Sequence, residues 1–510
     1  MIASNFFRKG FNVLYPQINW AGPLPGYVGT EFPLVPYLAA LLYVPFGEHF
    51  YLGRLVSITL FVPTIPLFYL LVRRYFGRTT AWFALFFYLA SPLSIYYSRT
   101  FMPESAMMFF SIAGVFFFSR WVDRNTTRDY LLALCCTAFA LLVKIPAAII
   151  GLPMAYLAWR KYGRGMLRQV SLWAFALIAT VPSVLWYSHA LSLARNHYPF
   201  HAFWDPTWIG SSGPGIFLSI DLYRTILLNV TASLLTPLGL FLAAGGAVLG
   251  LKKRPETYLF HWWALGFLIF LVLGLPGHRH EYYQLPLVPV AAAFAGVFCT
   301  HLLRGGDVGL VPFWRSKRRV AMVLALVSVL LVSSALVGMR YHSEITHALY
   351  VAGKIADKEL PRSSLILAAD WNNPVLIQAS GRNGWHFAGH GKFVERRVEW
   401  SVALLEDFRS QGAQYFVAPV RPPPSQQKPS LLRSIVRYVD PPRQYDFLDS
   451  HPGFRSYLES RYSKVLENEF VAIYDLRRPK ANSGGTERES RVPDDRRRGE
   501  LLRWTRHHTS

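Results

Sequence analysis

The sequence predicts a polytopic α-helical membrane protein of about 10 transmembrane helices, closed by a small C-terminal α/β domain on the extracytoplasmic side. Three observations carry that expectation. Of 510 residues, 52% are hydrophobic and 16% charged, where soluble domains average roughly 25% charged. Apolar runs recur as far as residue 340, and several approach or exceed the roughly 20 residues that cross a bilayer. Beyond 340 the runs shrink to strand length and alternate with helical patterns, as in an α/β unit. The formal net charge of +23 does not point to nucleic acid, because a polytopic protein collects Lys and Arg on its cytoplasmic loops.

In order, the chain divides into an outer loop with juxtamembrane helices (1–54), a transmembrane domain (55–340), an extracytoplasmic α/β domain (341–476) and a basic, disordered tail (477–510). Met1 to Gly10 has its basic pair behind an aromatic pair and no apolar core, so it does not read as a signal peptide. Phe11 to Trp20 is short and aromatic, and is expected to lie in the interface as an amphipathic piece. Leu34 to Phe46 is too short to span comfortably and reads as a re-entrant or juxtamembrane helix. Spans are expected at 55–72, 80–97, 105–119, 130–143, 146–159, 170–187, 226–251, 258–275, 285–303 and 320–339. Cys135, Cys136 and Cys299 fall within apolar runs, without metal-ligand spacing, and read as small apolar fillers.

Charge sets the orientation. One set of loops carries eighteen basic residues, among them Arg73, Arg74, Arg160, Lys161, Lys252 and Arg318, while the loops between carry five: Arg99, Lys144, Arg195, Arg224 and Arg279. The bias holds at every turn, so the first set is expected to be cytoplasmic. Glu31, Arg99, Glu104 and the segment His278 to Tyr283 then share the outer face. A cysteine introduced near Ser212 should label with an impermeant thiol reagent in intact cells, and one near Lys252 should not; reversed labelling would move the site to the cytoplasm. The same bias places Met1 outside with no span before it. Translation is therefore expected to begin upstream and to add one span followed by an acidic residue, and an in-frame stop codon directly before Met1 would contradict this.

In the last third, Leu365–Ala369, Gln414–Ala418 and Phe470–Tyr474 read as strands, and Trp400 to Ser410 as a helix ending at Gly412. Arg421-Pro422-Pro423-Pro424 reads as a loop or surface extension. From Arg477 the tail carries ten basic against five acidic residues, a composition that does not fold alone.

Three polar clusters on the outer face could carry chemistry. Glu31 follows the Gly/Pro-rich approach Gly22-Pro23-Leu24-Pro25-Gly26-Tyr27 and directly precedes an apolar run. It is either an ionisable group held at the membrane for function or a charge favouring the start of the next helix. Arg99 and Glu104 face each other across Arg99-Thr100-Phe101-Met102-Pro103-Glu104, where a structural ion pair is the plainer reading. In His278-Arg279-His280-Glu281-Tyr282-Tyr283, two histidines, an arginine and paired tyrosines at a span entrance suit an anionic head group, although an interfacial aromatic anchor would look alike. Lys144 lies between two apolar runs, either snorkelling to the interface or contacting a phosphate.

These motifs carry a resemblance. The order Gly-Tyr-Val-Gly-Thr-Glu-Phe-Pro-Leu (26–34), Arg73-Arg74-Tyr75-Phe76-Gly77-Arg78, Tyr96-Tyr97-Ser98-Arg99, Met102-Pro103-Glu104 and His280-Glu281-Tyr282-Tyr283-Gln284-Leu285-Pro286 resembles the type-C glycosyltransferases of the protein O-mannosyltransferase and aminoarabinose transferase-like family. The resemblance spans about residues 1–340; the outer domain matches in position rather than motif. It implies a polyprenyl-phosphate-linked sugar donor, a lipid, glycan or protein acceptor, and action at the outer face of the cytoplasmic membrane. It also implies an acidic general base in the first outer loop, and a second carboxylate near the donor phosphate or a divalent metal ion (Mg, Mn or Zn). Glu31, before Phe32-Pro33, matches the second position. The first would precede Met1, so Glu104 is the other carboxylate in view for the base.

The residue types fit that chemistry. Attack of a hydroxyl on an anomeric carbon needs a carboxylate to take the proton, and a departing phosphate needs cations. Arg99, Lys144, His278, Arg279 and His280 are the candidate phosphate ligands; Tyr27, Tyr282 and Tyr283 are the candidate sugar or lipid contacts. The competing class is a multi-pass lipid or sugar transporter or flippase, which would place charges near the midplane and show internal repeats.

Overall fold

The computed structural model describes residues 1–197, 219–251, 255–273, 280–304, 344–370, 373–387, 398–420 and 447–480, with scattered positions between 321 and 335. The chain opens with helix α1 (Ile2–Lys9), closed by Gly10 at φ 116° and with Arg8 and Lys9 in its last turn, where cations oppose the helix dipole. Phe11 to Trp20 forms no amphipathic helix. Instead Ile18 N–H donates to the Gly26 carbonyl at 2.8 Å and Val28 N–H to Pro16 at 3.0 Å, with a bridge between Gln17 and Tyr27. Pro16 and the positive φ of Gly22 and Gly26 favour this hairpin over helix.

The apolar run after Glu31 is the short helix α2 (Leu34–Phe46). Helices α3 (Phe50–Phe61) and α4 (Thr64–Phe76) continue one another across Pro63 as a 27-residue apolar stretch. The span expected at 80–97 is two helices, α5 (Arg78–Ala90) and α6 (Pro92–Tyr97). Pro92 is the reason: a residue before proline is pushed out of the helical region, and Ser91 sits at ψ 130°. The central helix α7 (Glu104–Arg124) ends on Asn125 in the left-handed region. It packs against α8 (Thr127–Val143), whose first turn is capped by the Thr126 hydroxyl accepting from the Asp129 N–H. After α8 the chain extends at Lys144, makes a 3₁₀ turn (Ile145–Ile150) and enters α9 (Gly151–Tyr162); α10 (Val170–Asn196) follows.

The expected span 226–251 is also bent: helices Ile220–Leu228 and Thr236–Gly250 meet at 90° through a π turn. Thr236 at φ 63° and Pro237, which lacks an N–H, account for the break. Among the described residues five helices are long and apolar enough to cross a membrane, or six if the bent pair is one span. Of the ten expected spans, the described residues show five as single long apolar helices. Runs 80–97, 130–143 and 146–159 end at Ser91, Lys144 and Gly163 as shorter helices, and 320–339 lies mostly outside the described residues. Close helix packing uses glycine where a side chain cannot fit. A Cβ on Gly246 would lie 1.8 Å from the Phe294 carbonyl oxygen, so Gly246→Ala should force apart helices Thr236–Gly250 and Val288–Arg304. The expected loss is at least about 1–3 kcal/mol, read as a lowered melting temperature in detergent.

The C-terminal unit is a five-stranded sheet in the order β2-β1-β3-β5-β4. Its strands are β1 (Leu365–Ala368), β2 (Asn383–His386), β3 (Tyr415–Pro419), β4 (Ser463–Glu467) and β5 (Val471–Asp475). β2 and β3 flank β1 in parallel; β5 runs antiparallel to β3 and to β4. Apolar clusters cover both faces, one around Phe387, Phe416 and Phe454 and the other around Leu349, Ile366 and Ile473. Glu406, in the helix Val398–Ser410, accepts hydrogen bonds from Tyr462, from Tyr457 at 2.9 Å and from Arg409 at 2.7 Å. Burial alone would raise its pKa, but these donors outweigh burial and lower it. A depressed folded-state pKa gives stability that is present above the unfolded value, about 4.3, and lost as pH falls through the folded one. Glu406→Gln should therefore lower the melting temperature at neutral pH, and the difference from wild type should shrink below about pH 4.

Candidate active site

Lys144 directly follows α8, and its side chain meets the N-terminal end of α7 and the loop that carries Glu31. Its backbone still donates to the Ala140 carbonyl at 3.1 Å, but Pro146 bars α8 from continuing. The side chain is 3% exposed, so it does not snorkel. Its ammonium is hydrogen-bonded to Glu104 Oε1 and lies 4.0 Å from Glu31 Oε1. It also faces the rings of Tyr282 at 4.4 Å and Tyr283 at 5.0 Å, a cation–π arrangement that gains strength away from water.

Glu104 is the first residue of α7, 1% exposed, where a carboxylate meets the positive helix end. Its Oε2 has no hydrogen-bond partner, which is costly for a buried carboxylate. The expected alternative, an Arg99–Glu104 ion pair, is not formed. Lys144 takes Glu104, and Arg99 is exposed.

Glu31 is the accessible carboxylate, with 19% of its side chain exposed. Oε2 accepts from the Thr30 hydroxyl at 2.9 Å, and Trp186 Nε1 of α10 donates to the Thr30 carbonyl at 3.1 Å. Gly29 lies so close to α10 that a Cβ would fall 1.9 Å from the Ala190 carbonyl oxygen. The loop is thus fixed on α10. Glu31 lies three residues before α2, whose own first turn holds no acidic residue.

His280 stacks on Tyr282 at 5.4 Å. Tyr27 is on the hairpin, edge-on to Tyr15 and His197. His278 and Arg279 lie outside the described residues. The structure therefore gathers Glu31, Glu104, Lys144, Tyr282 and Tyr283, with His280 beside Tyr282, and leaves Arg99 in the exposed turn. Sequence reasoning missed Trp186 and Tyr187, whose hydroxyl donates to the Leu142 carbonyl at 3.2 Å. Their only signal is an aromatic pair within α10.

A divalent metal does not suit this arrangement. The space between the two carboxylates is taken by the Lys144 ammonium, and among the described residues no three His, Cys, Asp or Glu converge as metal ligands.

The fold has counterparts among solved structures, and part of the sequence matches a family model. Residues 30–186, which include Glu31, Glu104, Lys144 and Trp186, match the family model of dolichyl-phosphate-mannose-protein mannosyltransferases. The family resemblance carried by the motifs is borne out by this match and by the fold. ArnT from Cupriavidus metallidurans bound to undecaprenyl phosphate superposes with a TM-score of 0.58 at 14% identity, covering 95% of this chain and 93% of that one. The archaeal oligosaccharyltransferase AglB from Archaeoglobus fulgidus, in complex with an inhibitory peptide and a dolichol-phosphate, gives 0.55 at 13%, covering 93% and 69%. The Archaeoglobus fulgidus oligosaccharyltransferase complex with Zn and sulfate gives 0.55 at 14%, covering 82% and 63%. No curated protein matches by sequence. The chain shares the fold of these solved structures and, among the described residues, has five or six helices long and apolar enough to cross a membrane.

Proposed function

We propose that this protein transfers a sugar from a polyprenyl-phosphate donor to a hydroxyl acceptor at the outer face of the cytoplasmic membrane. The observation that carries the reading is the convergence of Glu31 and Glu104 on Lys144 beneath Tyr282 and Tyr283. This occurs in a fold shared with a protein solved with undecaprenyl phosphate and another solved with a dolichol-phosphate.

Glu31 is the base: it is the exposed member of the pair, and the acceptor proton passes to its carboxylate. The acceptor oxygen bonds to the anomeric carbon as the bond from that carbon to the phosphate oxygen breaks, and polyprenyl phosphate leaves with the electron pair. Glu104, buried on Lys144, is a positioning residue. Lys144 ties the two carboxylates together and, with both as partners, does not neutralise a phosphate alone. That task falls to Arg279 and the flanking His278 and His280. Tyr282 and Tyr283 offer ring faces to sugar or lipid.

In proteoliposomes charged with a polyprenyl-phosphate sugar, wild-type protein should form glycosylated acceptor and free polyprenyl phosphate, and EDTA should leave the rate unchanged. Arg279→Ala should raise the KM for the donor, because a phosphate clamp acts in the ground state as well. Movement of the lipid across the bilayer without sugar transfer would overturn the reading in favour of a transporter.

A further inference from the structure

We infer that the Asp370–His386 pair of the C-terminal sheet positions the Glu31 loop, acting through Trp20 and the hairpin tip; this rests on the reading of Glu31 as the base. β2 is an edge strand, and such edges present unpaired backbone groups. The hairpin occupies this one: Gly384 N–H donates to the Asn19 carbonyl at 2.9 Å, and Gly22 N–H donates to the Gly384 carbonyl at 2.8 Å. Only glycine fits at 22, at φ 60° and with a Cβ that would lie 2.1 Å from the Trp385 ring. Beside this pairing Trp20 packs on His386 with ring centres 5.0 Å apart. His386 is in turn held by Asp370, which is fully buried after β1, with Nδ1 at 2.8 Å from both carboxylate oxygens.

The hairpin transmits this anchoring. Asn5 Nδ2 donates to the Gln17 carbonyl at 2.8 Å and to Asn19 Oδ1 at 2.7 Å, stiffening one strand. The other strand runs from Gly26 through Val28 into Gly29 and Thr30, which are held on α10, and then directly to Glu31. The sheet thus grips one end of a short, doubly paired segment whose other end carries the base. A displacement of about 1 Å at a reacting group costs on the order of a hundredfold in rate, so contacts far from the chemistry can set the rate. His386 and Asp370 are positioning residues and touch no reacting atom.

The test uses the full chain in detergent. Amide exchange over residues 14–31 is followed beside steady-state transfer for His386→Ala, Asp370→Asn and Gly22→Ala, with His386→Gln as the conservative variant. Faster exchange over 14–31, a kcat lowered up to about a hundredfold at unchanged donor KM, and partial rescue in His386→Gln are expected. If Gly22→Ala fails to fold, His386→Ala, which only removes a ring, decides. Unchanged exchange over 14–31 in a folded His386→Ala protein overturns the inference, as does faster exchange with full kcat. If the wild-type protein transfers no sugar, the proposed function fails, and the exchange measurement still decides whether the pair holds the loop.

Discussion

Lys144→Ala should be among the most damaging single substitutions in the protein. It leaves Glu104 at 1% exposure with one carboxylate oxygen already lacking a partner and the other newly orphaned. It also removes the cation beside Glu31 and beneath two tyrosine rings. Removing one partner of a buried ion pair typically costs about 3–5 kcal/mol, enough to cancel much of the stability of a typical domain. Lys144→Ala should accordingly show a sharply lowered melting temperature and poor yield after extraction. The double variant Lys144→Met/Glu104→Leu separates stability from chemistry. Replacing a buried pair by apolar residues of similar volume is often neutral or stabilising, so the double variant should regain much of the lost melting temperature. It should not regain transfer, because Glu31 then has no counter-cation to place it. A double variant as active as wild type would show that the pair serves packing alone.

How far the sequence disclosed this arrangement depended on what kind of information each feature needs. The three strands read from Leu365, Gln414 and Phe470 correspond to β1, β3 and β5 within one residue at each end, because buried central strands are continuous apolar runs. β2 (Asn-Gly-Trp-His) and β4 (Ser-Lys-Val-Leu-Glu) were not legible. As edge strands they mix Trp385 and Val465 with residues of low strand propensity such as Asn383, Gly384, Ser463 and Lys464. Hydropathy located the apolar runs but not their breaks at Ser91 and Thr236, where proline and backbone strain override composition. Glu31, Glu104, Lys144 and Tyr282 were each visible as polar groups at span ends. That Glu104 pairs with Lys144, forty residues away, and not with nearby Arg99 was not visible. Spacing places a residue on an element, while packing decides which ends of which helices meet. The role of Asp370 and His386 was hidden for the same reason.

The second large effect belongs to Glu31. Glu31→Gln keeps the shape of the side chain and its contact with the Thr30 hydroxyl, while abolishing the capacity to take a proton and the charge opposite Lys144. Loss of one charge-assisted interaction in a transition state typically costs about 2.7–4 kcal/mol, or roughly 10²–10³ in rate, and loss of a general base about 10²–10⁴. Folding should suffer little, since this carboxylate is the partly exposed one and Glu104 retains Lys144. A charge merely favouring a helix end would contribute only about 0.3–1 kcal/mol of stability and leave turnover intact.

The decisive measurement is therefore the turnover of Glu31→Gln against wild type, with a polyprenyl-phosphate sugar donor in proteoliposomes and insertion and melting temperature checked in parallel. A properly inserted variant slowed by roughly 10²–10³ at nearly unchanged donor KM is the predicted result. Turnover close to wild type in that variant would contradict the assignment of Glu31 and, with it, the site built around Lys144.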